Sequence, residues 1–150
     1  MSASGAARAS GVRIGADGLR AFVVALFETR GMRTPDAQAV AKNLVWADLR
    51  GVGSHGVSRV ERYFRMIEDG DLDPRAMPVI EAKGPSLVLV RAGRAAGAVA
   101  MTATLAEAER RAKQEGCCIC LIAQTTHTGA IGQYAGRLAQ RGLATLLMGA

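Results

Sequence analysis

The chain has 150 residues, of which 49% are hydrophobic and 21% are charged. This balance is typical of a soluble globular protein and excludes a disordered one. The net charge of +6 raises the question of a nucleic-acid partner, but the basic residues are scattered, most of them near acids, and form no basic run. Nucleic-acid binding is therefore not expected. No apolar stretch reaches the ~18 residues of a transmembrane helix, so membrane insertion is not expected either.

Two further features bear on location. Residues 1–12 are mostly Ala, Ser and Gly without an apolar core, which predicts a flexible tail, with a short transit peptide as the alternative. Cys117, Cys118 and Cys120 lie too close together for a normal disulfide framework. Their apolar neighbours indicate small residues of a buried strand, and no second pair completes a zinc site. We therefore expect no bound metal and a reducing, cytoplasmic location.

Residues 13–77 are predicted to form a small helical domain. Its first helix runs from about Asp17 to Arg30. The second begins with Thr34 as the N-cap and Pro35 at the first helical position, and the third runs from about Val57 to Glu68. The apolar positions that recur at helical spacing are Leu19, Phe22, Val23, Leu26 and Phe27, then Val40, Ala41, Leu44, Val45 and Leu49, then Val57, Val60, Phe64 and Ile67.

From residue 78 onward the pattern indicates strands alternating with helices, and hence an α+β or α/β fold. The predicted strands are Val79–Ala82, Ser86–Arg91, Cys117–Ala123 and Leu143–Met148, with helices over 97–115 and within 128–142. The unbroken run of Leu and Val in the second strand is typical of a strand buried on both faces. The apolar last strand has no following element to cover it, so residues 78–150 are expected to be the first part of a truncated domain.

Both histidines of the chain lie in loops that contain glycine. His55 belongs to the segment Gly53–Gly56 and His127 to the segment Thr125–Gly129. Such loops at element ends let a ligand approach the backbone, and the helix start beyond His127 favours a negative group. The alternative is a pair of capping or surface histidines, and from the residues alone both interpretations stay open.

Charged and polar neighbours of His55 extend this candidate site. Arg59 follows four residues later, where its guanidinium could bind a carboxylate in a bidentate manner; a solvated arginine is the alternative. Ser54 is better placed to orient the imidazole than to act as a nucleophile, because no G-x-S-x-G motif is present. Asp48 and Arg50 could brace the loop as an ion pair, or form a plain surface pair.

The chain contains no G-x-G-x-x-G and no Walker A motif, so a Rossmann-type cofactor site has no support. However, the run from Asp48 to Arg59, D-L-R-G-V-G-S-H-G-V-S-R, resembles the signature of the malate/L-lactate dehydrogenase family. The stretch Thr126–Gly132 resembles a second block of that family, and Tyr63 and Tyr134 fit it as well. The similarity covers nearly all of residues 13–150.

The resemblance implies a small N-terminal helical domain followed by an incomplete mixed-sheet, non-Rossmann dinucleotide-binding domain, in an enzyme that is generally a homodimer. It implies hydride transfer between NAD or NADP and a small 2-hydroxy or 2-oxo acid. Ser54 and His55 match a pair that relays and donates a proton, and Arg59 matches a ligand of the substrate carboxylate. His127 matches a histidine assigned as the acid/base in other members. The stretch implied to contact the cofactor is His127, Thr128, Gly129, Ala130 and Ile131.

Two alternatives remain open at this point. Family members are longer chains, and the resemblance places an aspartate partner of the Ser54–His55 pair beyond this sequence. The chain could therefore be a catalytically inactive, truncated relative that serves only in folding or dimerisation. A small basic nucleic-acid module is the other alternative, and a salt-dependent shift with DNA or RNA would support it.

Overall fold

A computed structural model describes residues 13–149, so the predicted flexible tail at residues 1–12 lies outside the described residues. Five helices and three strands follow one another, with two single 3₁₀ turns between the second and third helices. In chain order they are α1 (Ala16–Glu28), α2 (Thr34–Asp48), the 3₁₀ turns Gly53–His55 and Val57–Arg59, α3 (Val60–Glu68), β1 (Val79–Ala82), β2 (Leu87–Arg91), α4 (Gly97–Glu115), β3 (Ile119–Ala123) and α5 (Gly132–Ala139).

The first three helices pack around an aromatic centre. Phe27 of α1 is fully buried and meets the rings of Tyr63 and Phe64 edge-on, at centroid distances of 5.6 and 5.5 Å. Such edge-to-face pairs are favourable beyond the area that they bury. The predicted stripes are correct in the middle of α1 and α2, but Phe22 and Leu49 are mainly exposed. Both lie at the margin of the apolar face, where the helix surface turns toward solvent.

The predicted N-cap of α2 is wrong. Thr34 is already helical, Arg33 is the capping residue, and no side chain bonds the free amides at this end. The Thr34 hydroxyl instead donates to the carboxylate of Glu28, 2.5 Å away, and so ties α2 to the end of α1. A hydroxyl that finds a side-chain acceptor across the turn is no longer available to the backbone.

The sheet is mixed and has the order β1-β2-β3. β2 runs antiparallel to β1, with Val90 opposite Ile80, and parallel to β3, with Val88 opposite Cys120. Val88 and Val90 are buried on the side of α4, whereas Leu121 on the opposite face is 57% exposed. The prediction that the second strand is buried on both faces is therefore wrong for the described residues, because helices cover only one side of the sheet.

Two further predictions about strands are wrong. Cys118 and Cys120 are only half-buried, and Cys117 is exposed, so the cysteines do not belong to a fully buried strand. Residues 143–148 form no strand, although Leu143 and Leu147 pack on α4 and α5. An apolar segment becomes a strand only where a neighbouring strand satisfies its amides, and none of the described residues pairs with this one.

α4 connects the helices to the sheet. It begins at Gly97, ends at Gly116 with a φ of 85°, and buries Ala98 and Ala100 in the same cluster that contains Phe27 and Leu44. The predicted combination of helices with a mixed sheet is confirmed. The division into domains at residues 77 and 78 stays a prediction. No helix within residues 13–149 is long and apolar enough to cross a membrane.

Candidate functional site

The loop that carries His55 is held from the end of α2. The carboxylate of Asp48 accepts a hydrogen bond from the backbone N–H of Val57 at 2.9 Å. Gly56 packs directly on this carboxylate, and a Cβ at that position would overlap it. The expected ion pair with Arg50 is absent among the described residues, and the Arg50 guanidinium instead lies 3.9 Å over the Trp46 ring. Asp48 therefore braces the loop through its backbone.

Within this loop, Ser54 lies beside the imidazole. The Ser54 hydroxyl and Nδ1 of His55 are 3.0 Å apart, and which atom donates depends on the imidazole tautomer. The hydroxyl of Ser58 donates to the carbonyl of Gly53 at 2.9 Å, which closes the loop on itself. A serine so placed can orient the imidazole and leave its other ring nitrogen, Nε2, for another partner.

His127 lies in the loop between β3 and α5, and this loop is tied down on several sides. Tyr63 and Tyr134 donate from their hydroxyls to the carbonyls of His127 and Thr128, at 3.3 and 2.8 Å. Gly97, at the start of α4, packs so closely that a Cβ would overlap the His127 carbonyl. The loop is thus fixed by side chains of α3 and α5 and by the backbone of α4.

The two histidine loops meet. The rings of His55 and His127 have centroids 5.5 Å apart, and the Tyr63 ring lies 6.1 Å from that of His127. Residues 72 positions apart in the sequence thus share one site. The structure therefore brings together all three predicted catalytic residues, because Ser54 contacts His55 directly.

Arg59 lies beside the His55 loop. Its side-chain Nε donates to the carbonyl of Ser54, which leaves the two terminal nitrogens of the guanidinium. Neither Arg59 nor Arg62 has a carboxylate within 4 Å among residues 13–149, whereas Arg65 pairs with Glu61. Together with Ser58, both line an open cleft beside Ser54. Glu61, Arg65 and Asp69 line the same cleft, and Arg59 and Arg62 are its two arginines without a carboxylate within 4 Å among residues 13–149.

The electrostatics distinguish His127. Its side chain is half-buried, and its Nε2 is buried without a hydrogen-bond partner among the described residues. Burial lowers the pKa of His127 below its usual value of 6.5, and the positive charges of His55, Arg59 and Arg62 lower it further. Burial also raises the pKa of Tyr63 to about 12, against the opposing effect of Arg59. At neutral pH, His127 is therefore uncharged and Tyr63 remains a hydrogen-bond donor.

The stretch predicted to contact a cofactor is only partly accessible. Ala130 and Gly129 are buried, and Gly129 has a φ of 74°. The N–H and the carbonyl of Ala130 are both bonded to the side chain of Asn43. Thr128 is half-exposed, and Ile131 is 45% exposed. Within this stretch, a ligand can therefore reach His127, Thr128 and Ile131.

Two of the residues that build the site escaped the sequence analysis. Tyr63 was noted only as part of the family resemblance, and the fold reveals its contact with His127. Asn43 was not identified, although a polar residue within the buried stripe of α2 is a signal that could have found it, since a buried amide needs partners. Among residues 13–149, no three His, Cys, Asp or Glu side chains cluster as metal ligands.

The sequence of this chain is similar to those of known dehydrogenases. The malate dehydrogenase of Pyrococcus horikoshii is 34% identical over 137 residues, which are 91% of this chain and 38% of that enzyme. The ureidoglycolate dehydrogenase (NAD(+)) of Escherichia coli O157:H7 is 35% identical over 118 residues, 79% of this chain and 34% of the enzyme. The chain thus spans little more than a third of the length of these relatives.

Solved structures agree. The structure of a putative malate/lactate dehydrogenase from E. coli superposes with a TM-score of 0.84 at 30% identity, over 88% of this chain and 37% of that one. The P. horikoshii malate dehydrogenase structure gives 0.83 at 35% identity, over 87% and 38%. The family model for malate/L-lactate dehydrogenase matches residues 14–150. The chain therefore belongs to the malate/L-lactate dehydrogenase family.

Proposed function

We propose that this chain carries part of the active site of an oxidoreductase that transfers hydride between NAD or NADP and a small 2-hydroxy or 2-oxo acid. The observation that supports it most directly is the buried Nε2 of His127, which has no hydrogen-bond partner among residues 13–149 and belongs to a ring that lies beside His55. Arg59, which has no carboxylate within 4 Å in the same part of the chain, contacts the His55 loop at the Ser54 carbonyl. A neutral imidazole can accept the hydroxyl proton of a hydroxy acid, and a guanidinium can bind its carboxylate.

Arg59 is proposed to bind the substrate carboxylate. A planar guanidinium offers two parallel N–H groups to a carboxylate, and the pairing is strongest where no fixed acid competes. The bond from its Nε to the Ser54 carbonyl holds the side chain against the histidine loop. A carboxylate on Arg59 would thus place the adjacent C2 of the substrate near the imidazoles.

His127 is proposed as the acid/base group. In the oxidation direction, its neutral Nε2 accepts the proton of the C2 hydroxyl, and in the reduction direction the resulting imidazolium returns it. A lowered pKa favours the neutral form that oxidation needs. The alternative is that Ser54 and His55 together exchange this proton. In that case, the contact between the Ser54 hydroxyl and Nδ1 of His55 would relay it.

The residues present fit a nicotinamide cofactor at the His127 loop. Thr125 Oγ1 is a buried polar atom without a partner among the described residues, and Ile131 offers an exposed apolar side chain nearby in the sequence. This mixture suits a flat ring with a polar amide. His127, Thr128 and Ile131 would contact it, while Gly129 and Ala130 shape the loop behind them. When bound, the cofactor supplies the hydride acceptor or donor for C2.

A homodimer in the cytoplasm is part of the proposal, as is a small carboxylate as the substrate. The alternative is an inactive relative that serves only in folding or dimerisation, and binding of the cofactor separates the two. We expect the full-length gene product to bind NADH or NADPH, measured by the change in nicotinamide fluorescence, and to oxidise one of a panel containing malate, lactate and ureidoglycolate. Arg59→Ala should weaken binding of the acid, whereas Arg110→Ala, which removes an arginine paired with Glu107 on α4 outside this cleft, should not. No binding of either cofactor would contradict the proposal.

A further inference from the structure

Asn43 is a polar residue in the middle of the buried face of α2, where it is only 1% exposed. A buried amide destabilises the fold unless all of its groups are bonded. Its Oδ1 accepts the N–H of Ala130 at 2.9 Å, and its Nδ2 donates to the carbonyl of Ala130 at 3.2 Å and to Oε1 of Gln133 at 3.0 Å. Both amide protons and the amide oxygen are thus spent on the segment that follows His127.

The loop is shaped to receive this side chain. Gly129 packs on the Asn43 amide oxygen, and a Cβ at that position would overlap it. Its φ of 74° is one that residues with a Cβ rarely adopt. Both the close packing on Asn43 and the backbone conformation therefore require glycine at this position. The amide cannot be flipped, because the Ala130 N–H needs an acceptor and the Asn43 oxygen supplies it. The Asn43 side chain is therefore hydrogen-bonded to both backbone groups of Ala130.

A second anchor of the same design lies five residues further along α2. Asp48 accepts the Val57 N–H, and Gly56 packs on its carboxylate, so again a backbone amide and a glycine receive one side chain. Five helical residues span about 7.5 Å along the axis. One uninterrupted helix thus holds the His127 loop at Asn43 and the His55 loop at Asp48.

We propose that Asn43 and Asp48 are paired positioning residues which, through the rigid frame of α2, set the separation of His55 and His127. Both residues are hydrogen-bonded to loop backbone, Asn43 at Ala130 and Asp48 at Val57, so they act through the two loop backbones. The catalytic meaning of this spacing rests on the proposed function, whereas the spacing itself does not. A helix is a suitable frame because its internal hydrogen bonds fix the distance between the two anchors.

The spacing can be measured without substrate or cofactor. His55 lowers the pKa of His127 through space, so His55→Gln should raise the pKa of His127, as followed by NMR titration of its ring protons. The chain has two histidines, which makes the remaining ring signal unambiguous in that variant. This rise in the His127 pKa reports the proximity of the two rings.

The test compares this rise in three backgrounds: wild type, Asn43→Ala and Gln38→Ala. Gln38 is an exposed amide on the same helix, so its removal should leave the rise unchanged. In Asn43→Ala we expect the rise to become smaller, because the His127 loop loses its anchor to α2 and is held only by Tyr63, Tyr134 and the start of α4. A rise equal to that of the wild type in folded Asn43→Ala would overturn the proposal, since loss of general stability alone does not separate the rings.

The buried position of Asn43 requires a second variant. Asp48→Ala changes a half-buried residue at the end of α2, and its folding is checked by circular dichroism. It should also reduce the His127 pKa rise, and an unchanged rise would contradict the proposal even if Asn43→Ala does not fold. Because these titrations need no turnover, an inactive protein would count against the proposed function and leave this result intact.

Discussion

The two histidine loops meet at one site, yet they are built differently. The His55 loop is short, mostly exposed, and braced by Asp48 at its end and by Ser58 within it. The His127 loop is half-buried and held by the side chains of Asn43, Tyr63 and Tyr134. The comparison shows that the packing of a loop sets the environment of its histidine, since burial lowers the pKa of His127 and nearby positive charge lowers it further.

The largest expected effect is on kcat, and it should differ between variants of the two histidines. His127→Gln should lower kcat for oxidation of a 2-hydroxy acid by about 10²–10⁴-fold, the usual loss when a general base is removed. His55→Gln should lower it less, because His55 is proposed to assist. Steady-state kinetics of the full-length gene product measure both. Near-normal kcat in both variants would contradict the assignment, and the reverse order would transfer the role to His55.

The next effect tests how tightly the His127 loop is packed. Gly129→Ala should reduce the free energy of unfolding by about 2–4 kcal/mol, because a Cβ would overlap the Asn43 amide at a positive φ. Gly136→Ala is the matched control. It lies in α5 with open space around it and should raise the free energy of unfolding by up to about 1 kcal/mol. Urea unfolding would show both, and equal effects would refute the packing argument.

A smaller effect concerns the substrate end of the His55 loop. Arg59→Lys keeps the charge but loses the planar pair of donors, so KM for the acid should rise about tenfold while kcat changes little. Arg110→Lys serves as the control, because that arginine pairs with Glu107 on α4 and lies outside the cleft that Arg59 lines. An unchanged KM in both Arg59→Lys and Arg59→Ala would exclude Arg59 as the carboxylate ligand.

The smallest effect is a dependence of stability on pH. Because the pKa of folded His127 lies below 6.5, the unfolded chain binds a proton more readily than the folded one in that range. The contribution of His127 to the free energy of unfolding is therefore complete above about pH 6.5 and falls as the pH drops through the window below it. Urea unfolding of wild type and His127→Gln should differ in this slope, and identical slopes would contradict the lowered pKa.

The elements with local signals were predicted well. Helical spacing placed α1 to α4 within a few residues, and Gly116 marks the end of α4 as expected. Predictions that depend on what packs against an element failed: β2 is open on one face, and residues 143–148 form no strand. Burial of a strand is a property of its neighbours, which spacing along the chain does not report.

The candidate site divides in the same way. The motifs around His55 and His127 identified Ser54, His55, Arg59 and His127, because glycine-bearing loops and charge are visible in the sequence. Distances between the two motifs were not predictable, since they depend on how α2 and α4 pack. For the same reason, the contacts of Asn43 and Asp48 with the two loops appear only in the folded chain.

The most direct test of the central claim, that His127 is the acid/base, is the pH profile of kcat/KM for oxidation of a 2-hydroxy acid. For free enzyme and substrate this profile reports the pKa of the essential base. The account predicts a fall in kcat/KM on acidification that begins below the usual histidine value of 6.5, because burial and three cationic neighbours disfavour the imidazolium. This limb should vanish in His127→Gln, leaving a low, flat residual rate. A wild-type-like rate with the same acidic limb in His127→Gln would contradict the claim.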